Sequence, residues 1–522
     1  MALIQDYATR SAERRPDALA VKLGDESLTY ADLEERSDRL AAMLAQQGCQ
    51  AGDRVALVTP KSPRAAVAML AALKLRCPYV PVDVDSPAPR VALIMRAAEP
   101  RVLLATPDAG PLVQGVIEEG ALAPDTVIGS LTGEPLEGVA TAFTESDTAH
   151  FDPAPPGARA EPGEVAHILF TSGSTGIPKG VMITHHNVTT FVDWAVRYFG
   201  TSEGDRVSGH PPLHFDLSTF DLYATFSAGA ELHMVPASAS LSPRGLVEFI
   251  RDGELNQWFS VPSVLTYLAK FDAVQQDDFP AMNRLLWCGE VLPTPVLAHW
   301  MRKLPHVRFT NLYGPTEATI ASSYYTVPEV PADERQPIPI GTACDGEELL
   351  VLDEHLAPTP TGEIGELYIG GDGLSPGYWR DPEKTAAVFV DHDGRRIYRT
   401  GDLARMGDDG VVDFLGRTDS QIKSRGYRIE LGEIETVLDT IEGLRECAVV
   451  GVETGGFEGT AICCAYAAVD GIELEPPELR GELAAQLPSY MLPARWMKLD
   501  SLPKNVNGKI DRPALRERFS AN

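Results

Sequence analysis

Two periods of apolar spacing alternate along the chain. Short continuous runs at 54–58, 101–105 and 348–352 read as buried strands. The stretches 30–47 and 63–74 repeat apolar residues every three or four positions, which sets one face of a helix against a core. Strands alternating with helices predict an α/β fold with parallel sheets. A buried-strand pattern at 164–170 and a helical one at 187–199 flank a polar stretch, predicting strand, loop, helix in that order. The segment 144–163, with Pro153, Pro155, Pro156 and Pro162, reads as a loop leading into that strand. After the Gly/Asp-rich turns 406–410 and 416–419 the pattern restarts as a small αβ unit. The boundary falls at Asp419, a hinge dividing 1–418 from 419–522.

Composition narrows the class. A chain of 522 residues, 44% hydrophobic, is too long for one core and predicts at least two domains. The net charge of -29 disfavours nucleic acid and anionic membrane as partners, because a polyanion is repelled without a local basic patch. The seven cysteines are odd in number, scattered and without CxxC spacing, which predicts buried reduced thiols and a cytoplasmic location. No apolar run is long enough to span a bilayer.

The polar stretch carries the first chemistry. Hydroxyls at Thr171, Ser172, Ser174 and Thr175 alternate with Gly173 and Gly176, whose bare backbone lets N–H groups approach an anion, and Lys179 adds a positive charge. The spacing departs from GxxxxGK[ST], so the Walker type of loop is disfavoured. Read without its flanks, such a Ser/Gly stretch is a surface turn; between a strand and a helix it is an expected triphosphate grip.

Three further clusters are weaker alone. Asn311-Leu312-Tyr313-Gly314-Pro315-Thr316-Glu317 joins a ring able to stack on a base, a hydroxyl able to bond phosphate, and a carboxylate able to hold Mg²⁺; it is also a good capped helix start. Asp402 and Arg417 offer a carboxylate and a guanidinium for a ribose diol, or a plain turn. Lys509 follows an Asn-Gly turn, where a cation either projects into a cleft or is solvated.

In this order, with 28–33, 73–74, 79–83 and 487–493, the clusters resemble the adenylate-forming superfamily, specifically the amino-acid adenylation domains of non-ribosomal peptide synthesis, over nearly the whole chain. The resemblance implies a large N-terminal domain of two α/β subdomains plus a small β-barrel, and a small mobile α+β C-terminal domain. It implies ATP and Mg²⁺, attack of an acid's carboxylate on the α-phosphate, loss of pyrophosphate, then rotation of the small domain and attack by a thiol. Catalysis then falls to Lys509, Thr316 and Glu317, with Lys509 bridging carboxylate and α-phosphate; its loss costs roughly 10²- to 10³-fold or more. The loop residues, Asn311, Tyr313, Gly314, Asp402 and Arg417 hold the nucleotide. Gly426, within 421–430, leaves room for a pantetheine arm.

By the same resemblance Asp216 pairs with a substrate α-ammonium, although Asp is also a good helix N-cap. Phe220, Phe259, Leu286, Cys288, Leu312, Ile320 and Ala321 form an uncharged wall that favours a small apolar amino acid, alanine first and proline second. The segments 286–293 and 215–218 are similar to D-alanine–carrier-protein ligases, whereas the bias to Ala, Arg, Pro and Asp suits stand-alone ligases of natural-product synthesis and favours the L-amino acid. No carrier module follows Lys509, so the expected acceptor is a discrete phosphopantetheinyl carrier protein. The cations Arg495, Lys498, Lys504, Lys509, Arg512, Arg516 and Arg518 outnumber Asp500, Asp511 and Glu517 and offer it a docking face, or simply a solvated end. An aminoacyl-carrier amine as acceptor, an acyl- or aryl-CoA ligase and a non-catalytic sensor are the alternatives. Oligomeric state is left open.

Overall fold

The structure, a computed structural model, describes residues 2–153, 159–173, 176–454, 459–469, 471–505 and 509–521. Ser174 and Thr175 of the expected loop lie outside them.

Among the described residues the strands form five sheets. The nine-stranded sheet has a parallel centre running from Arg308–Tyr313 through Arg284–Cys288, Gln257–Ser260, Arg206–Gly209 and Glu231–Met234 to Leu19–Leu23. The seven-stranded sheet is parallel from Val165–Thr171 through Tyr79–Pro81, Val55–Val58 and Val102–Ala105 to Val127–Ser130. These are the two α/β subdomains. Glu347–Leu352, Ile364–Gly371, Arg395–Met406, Phe389–His392 and Val412–Arg417 make a five-stranded antiparallel sheet where the small barrel is expected. The run at 348–352 is thus a strand, but an antiparallel one. Beyond Asp419 come the hairpin Gln421–Ser424/Tyr427–Glu430 and a three-stranded sheet.

Local signals place the helices. Tyr30–Gln46 starts at a capping box in which the Asp32 N–H donates to Thr29 Oγ1 at 3.1 Å and the Thr29 N–H donates to Asp32 Oδ2 at 2.9 Å. Pro63–Lys74 has Ser62 as N-cap and Pro at its first position, and its Ala-rich surface is buried nearly all round. Its last residue, Lys74, is paired in that interior with Asp38 at 2.6 Å and Glu34 at 3.0 Å. Removing one partner costs on the order of 3–5 kcal/mol.

One expectation is corrected. The phosphate-type loop does not run into a helix: Lys179–Thr184 intervenes as a strand antiparallel to Val165–Thr171, with Thr171 opposite Lys179. Val181 and Ile183 are β-branched and buried on one face, so 179–184 suits a strand. The helix His185–Phe199 begins only afterwards, capped by Thr184. No described helix is long and apolar enough to cross a membrane.

Candidate functional site

A cleft runs between the two α/β subdomains and the C-terminal domain. At one end lies Asp216, the first residue of Asp216–Ala228, a helix buried on almost every side. Desolvation raises the Asp216 carboxyl to about 6, against the opposing pull of the Thr316 hydroxyl, the Leu217 N–H and the Lys423 cation. Cys288 and Ile320 share this end with Leu217. The other expected wall residues, Phe220, Phe259, Leu286, Leu312 and Ala321, form a buried layer behind them. The Phe220 ring stands edge-on to Phe259, with centroids 5.3 Å apart, and to Phe191 at 5.4 Å, so edge-to-face contacts fix the rings within that buried layer. Thr319 and Ile320 both adopt positive φ, 56° and 68°, an uncommon conformation for β-branched residues. The Thr319 hydroxyl, donating to the Gly373 carbonyl at 2.7 Å, helps to hold that bend.

The other end is polar. Thr171, Ser172, Gly314, Thr316, Asp402 and Arg417 line it. Asp402 and Arg417 are cross-strand partners, so register sets the Arg417 Nη1 2.5 Å from Asp402 Oδ1. The Tyr313 hydroxyl donates to the other oxygen of Asp402. Gly314 has a steric reason, since a Cβ there falls 2.5 Å from Ala321 Cα; a Cβ on Gly173 falls 2.1 Å from the Ile177 carbonyl oxygen. Thr171 Oγ1 is buried without a hydrogen-bond partner among the described residues, as suits a donor waiting for an anion. Asn311 is on the inner strand instead, its amide donating to the Pro339 carbonyl at 2.8 Å.

The C-terminal domain reaches deep into this end. Arg428 Nη1 lies 2.9 and 2.8 Å from the two oxygens of fully buried Glu317. Burial alone would push the Glu317 carboxyl up, but Arg428 and Lys179 hold it down at about 2. The Ser172 hydroxyl donates to the Arg428 carbonyl at 2.7 Å, Lys179 lies 3.7 Å from Glu430, and Glu433 contacts both Arg90 and the Gly173 N–H. Gly426 sits in a two-residue turn with Arg425, both at positive φ, and its N–H donates to Glu290 at 2.8 Å. A Cβ on Gly426 falls 2.6 Å from Val261, so close approach of the two domains requires glycine. The Lys423 ammonium lies 5.8 Å from the centroid of Tyr313, over the ring expected to stack on a base.

Lys509 is elsewhere. It is exposed on the C-terminal domain, its N–H donating to Asn505 Oδ1 at 3.1 Å, and it is not part of the cleft in this pose. Of the basic tail, Lys498, Lys504 and Arg512 pair with Glu475, Glu446 and Glu435. Arg90, His214, Leu217, Glu290, Lys423, Arg428, Tyr490 and Glu433 join the site without having been singled out. The charge-dense run from Lys423 to Glu433, Lys-Ser-Arg-Gly-Tyr-Arg-Ile-Glu-Leu-Gly-Glu, was the available signal for the C-terminal members Lys423, Arg428 and Glu433.

The seven cysteines are all free and buried. No group of three or more His, Cys, Asp or Glu able to hold a metal occurs among the described residues.

A large α/β domain whose cleft is roofed by a small second domain is a class with known members. The AMP-binding enzyme profile matches residues 8–379 and the AMP-binding enzyme C-terminal domain profile matches 433–509, so the chain belongs to the adenylate-forming AMP-binding enzyme family. It is 36% identical to an L-proline–[L-prolyl-carrier protein] ligase of Streptomyces coelicolor, over 94% of this chain and 92% of that one. With the corresponding ligase of Pseudomonas fluorescens it shares 34% identity over 99% of both. Other relatives are much longer: the chain spans 45% of tyrocidine synthase 1 of Brevibacillus parabrevis, at 33% identity over 98% of its own length, and 19% of a plipastatin synthase polypeptide of Bacillus subtilis, at 35% identity over 97%. Among solved structures it matches the Vibrio cholerae adenylation domain AlmE in complex with glycyl-adenosine-5′-phosphate (TM-score 0.86, 25% identity, 99% and 98% of the two chains). It also matches the amide bond synthetase McbA of Marinactinospora thermotolerans (TM-score 0.87, 26% identity, 98% and 99%).

Proposed function

We propose that the protein is a cytoplasmic, ATP-dependent, AMP-forming amino acid–carrier protein ligase for a small apolar amino acid, alanine before proline and the L-form before the D-form. The observation that carries this reading is the pocket at Asp216: a carboxylate faces the cleft, and the uncharged side chains of Leu217, Cys288 and Ile320 line the cleft with it. The carboxylate suits an α-ammonium, and the short uncharged end suits a methyl or a compact ring. The carrier-protein ligases that match end to end support the acceptor.

In the first step an oxygen of the amino-acid carboxylate bonds to the α-phosphorus of ATP, the bond from that phosphorus to the bridging oxygen breaks, and pyrophosphate leaves with the electron pair. Thr171, Ser172, Gly173, Gly176 and Lys179 hold the departing phosphates; Asp402 and Arg417 hold the ribose; Thr316 and an inward-turned Lys509 steady the charge on the α-phosphate. Glu317, once released by Arg428, would hold Mg²⁺ together with phosphate oxygens, and the ion would neutralise phosphate charge there. The donor set fits, because Mg²⁺ takes one or two carboxylates and completes its shell from substrate and water. In the second step the carrier's sulfur bonds to the acyl carbon, the acyl carbon–oxygen bond breaks, AMP leaves, and the thiol proton passes to solvent. The cleft arm beside Gly426, Tyr427 and Phe215 is the route for the arm that brings the sulfur.

Pyrophosphate exchange across both alanines, proline, glycine, serine and several β-amino acids tests the substrate. Alanine exchange is expected to dominate; a response to β-amino acids alone overturns the pairing of Asp216 with an α-ammonium. The likeness to an amide bond synthetase favours one second reading, in which an aminoacyl-carrier amine replaces the thiol. Mass spectrometry of carriers with and without a free pantetheine thiol separates the two.

A further inference from the structure

The helix that begins at Asp216 is entered through a loop held by the neighbouring α/β subdomain. The strand Arg206–Gly209 of the nine-stranded sheet gives way to residues 210–215, and Asp216 then opens the helix Asp216–Ala228. Lys61 comes from the other side: it follows Val55–Val58 of the seven-stranded sheet and stands just before the helix Pro63–Lys74. Its ammonium donates to the Gly209 carbonyl at 2.6 Å and to the His210 carbonyl at 2.8 Å. The far end of the loop is fixed from within, the Ser218 hydroxyl donating to the Phe215 carbonyl at 2.7 Å. Two charge-assisted hydrogen bonds thus hold the entry of the loop across the subdomain boundary, and the helix that carries Asp216 holds its exit.

A plainer reason for a cation stands on the same helix. Asp221 is buried, and neither of its oxygens completes a hydrogen bond among the described residues. Burial pushes its carboxyl up, and the Lys61 cation and the His210 N–H oppose this from outside hydrogen-bond geometry. Burial also draws the Lys61 ammonium down to about 8, against the pull of Asp221. If balancing Asp221 were all that Lys61 did, its N–H groups would be directed to that carboxylate. They are directed to the two carbonyls at the entry of the loop.

We propose that Lys61 is a positioning residue for the amino-acid site: by holding the Gly209 and His210 carbonyls from the neighbouring subdomain, it fixes the course of residues 210–215 and with it the place of Asp216. This rests on reading Asp216 as the partner of the substrate ammonium. The sheet that Lys61 follows is also the sheet whose strand Val165–Thr171 ends at Thr171, and the two strands run the same way, each parallel to Tyr79–Pro81. A tie from that sheet registers the amino-acid end of the cleft against its phosphate end, and not only within its own subdomain.

The test is pyrophosphate exchange by the full chain with L-alanine, or with whichever amino acid of the panel exchanges fastest, with KM measured separately for the amino acid and for ATP. Lys61→Met keeps the stem and removes the donors. The amino-acid KM should rise about tenfold, the equivalent of one hydrogen bond to a charged group, while the KM for ATP changes little. A mere loss of folded protein would lower kcat and move neither KM. Because Lys61→Met leaves Asp221 without its cation, Lys61→Met/Asp221→Asn is the second variant, and thermal melts follow both. The double variant should regain the melting temperature lost by the single one and keep the raised amino-acid KM. A return of that KM to the wild-type value in the double variant shows that Lys61 only balances Asp221 and overturns the proposal, as does an unchanged KM in both. Asp216→Asn separates this from the reading beneath it. An unchanged amino-acid KM there overturns the ammonium pairing itself, whereas a raised one beside unchanged values in the Lys61 variants overturns the role of Lys61 alone.

Discussion

Arg428 and Glu317 form a two-oxygen ion pair across the domain boundary, with the guanidinium 2.9 and 2.8 Å from the carboxylate oxygens and the Tyr378 hydroxyl donating to Oε1 at 2.7 Å. The acid proposed to serve the metal in one half-reaction is the acid that latches the domains in the other. It cannot do both at once.

With the C-terminal domain seated over the cleft, Arg428→Ala leaves Glu317 buried without its guanidinium, with only Lys179 and the Tyr378 hydroxyl to offset the charge. A penalty of about 3–5 kcal/mol on that pose corresponds to a drop on the order of 10²-fold or more in transfer. Pyrophosphate exchange, which needs Glu317 free, should change far less; equal losses in single-turnover transfer and exchange would sink the latch. The pair also has a pH signature. The Glu317 carboxyl is held down, so its contribution to seating is complete above its ordinary value of 4.5 and disappears as pH falls through about 2.

Asp216 shifts in the opposite direction. With its carboxyl raised to about 6 by desolvation, the free enzyme carries the neutral acid below that pH and loses its counter-ion for the ammonium. The expected result is kcat/KM for the amino acid rising with unit slope up to about pH 6 and then levelling. Asp216→Asn should lower kcat/KM and abolish this limb; an Asn variant that keeps the limb would assign it to another group.

Phe220 packs edge-on against Phe259 and Phe191 in the buried layer behind Cys288 and Ile320, where the proposed function puts the limit of the pocket. Phe220→Ala costs about 3–5 kcal/mol of stability but opens the wall toward those rings. Activity measured across the amino-acid panel should move from alanine towards larger apolar side chains. An unchanged order of preference would show that size is read elsewhere.

Gly426→Ala meets two obstacles, the positive φ of 84° and the Val261 side chain 2.6 Å from the new Cβ. Transfer should slow, and Val261→Ala in the same chain should restore part of it, because only the contact and not the backbone strain is relieved. No recovery in the double variant would mean that the domains do not close on Val261.

The frame of the molecule was legible in the chain for local reasons. The helix 63–74 announces itself through Ser62, Pro63 and its alanines, and the strand at 55–58 through an unbroken apolar run. The loop at 171–180 is read from the sequence as an expected anion grip, and its setting was misread, since a six-residue strand such as Lys179–Thr184 is too short for its alternation to separate it from the helix that follows. Asp216, Cys288 and Ile320 were legible because they fall within the motifs of a known family. For Arg428, Lys423 and Glu433 only the charge-dense run 423–433 was visible, within a segment that the family resemblance assigns to the transfer step; which residues of the other domain pair with them is not written locally. Long-range partners such as Glu433 and Arg90, 343 positions apart, exist only once the chain is folded.

Cys288 presents a different kind of consequence. Its thiol lines the cleft at the end that the proposed function gives to the amino acid. Burial pushes that thiol up to about 12, so at neutral pH it stays protonated, and a protonated thiol is a poor nucleophile. In the proposed function a sulfur kept protonated by its dry surroundings would be a weak competitor for the acyl group that the cleft activates.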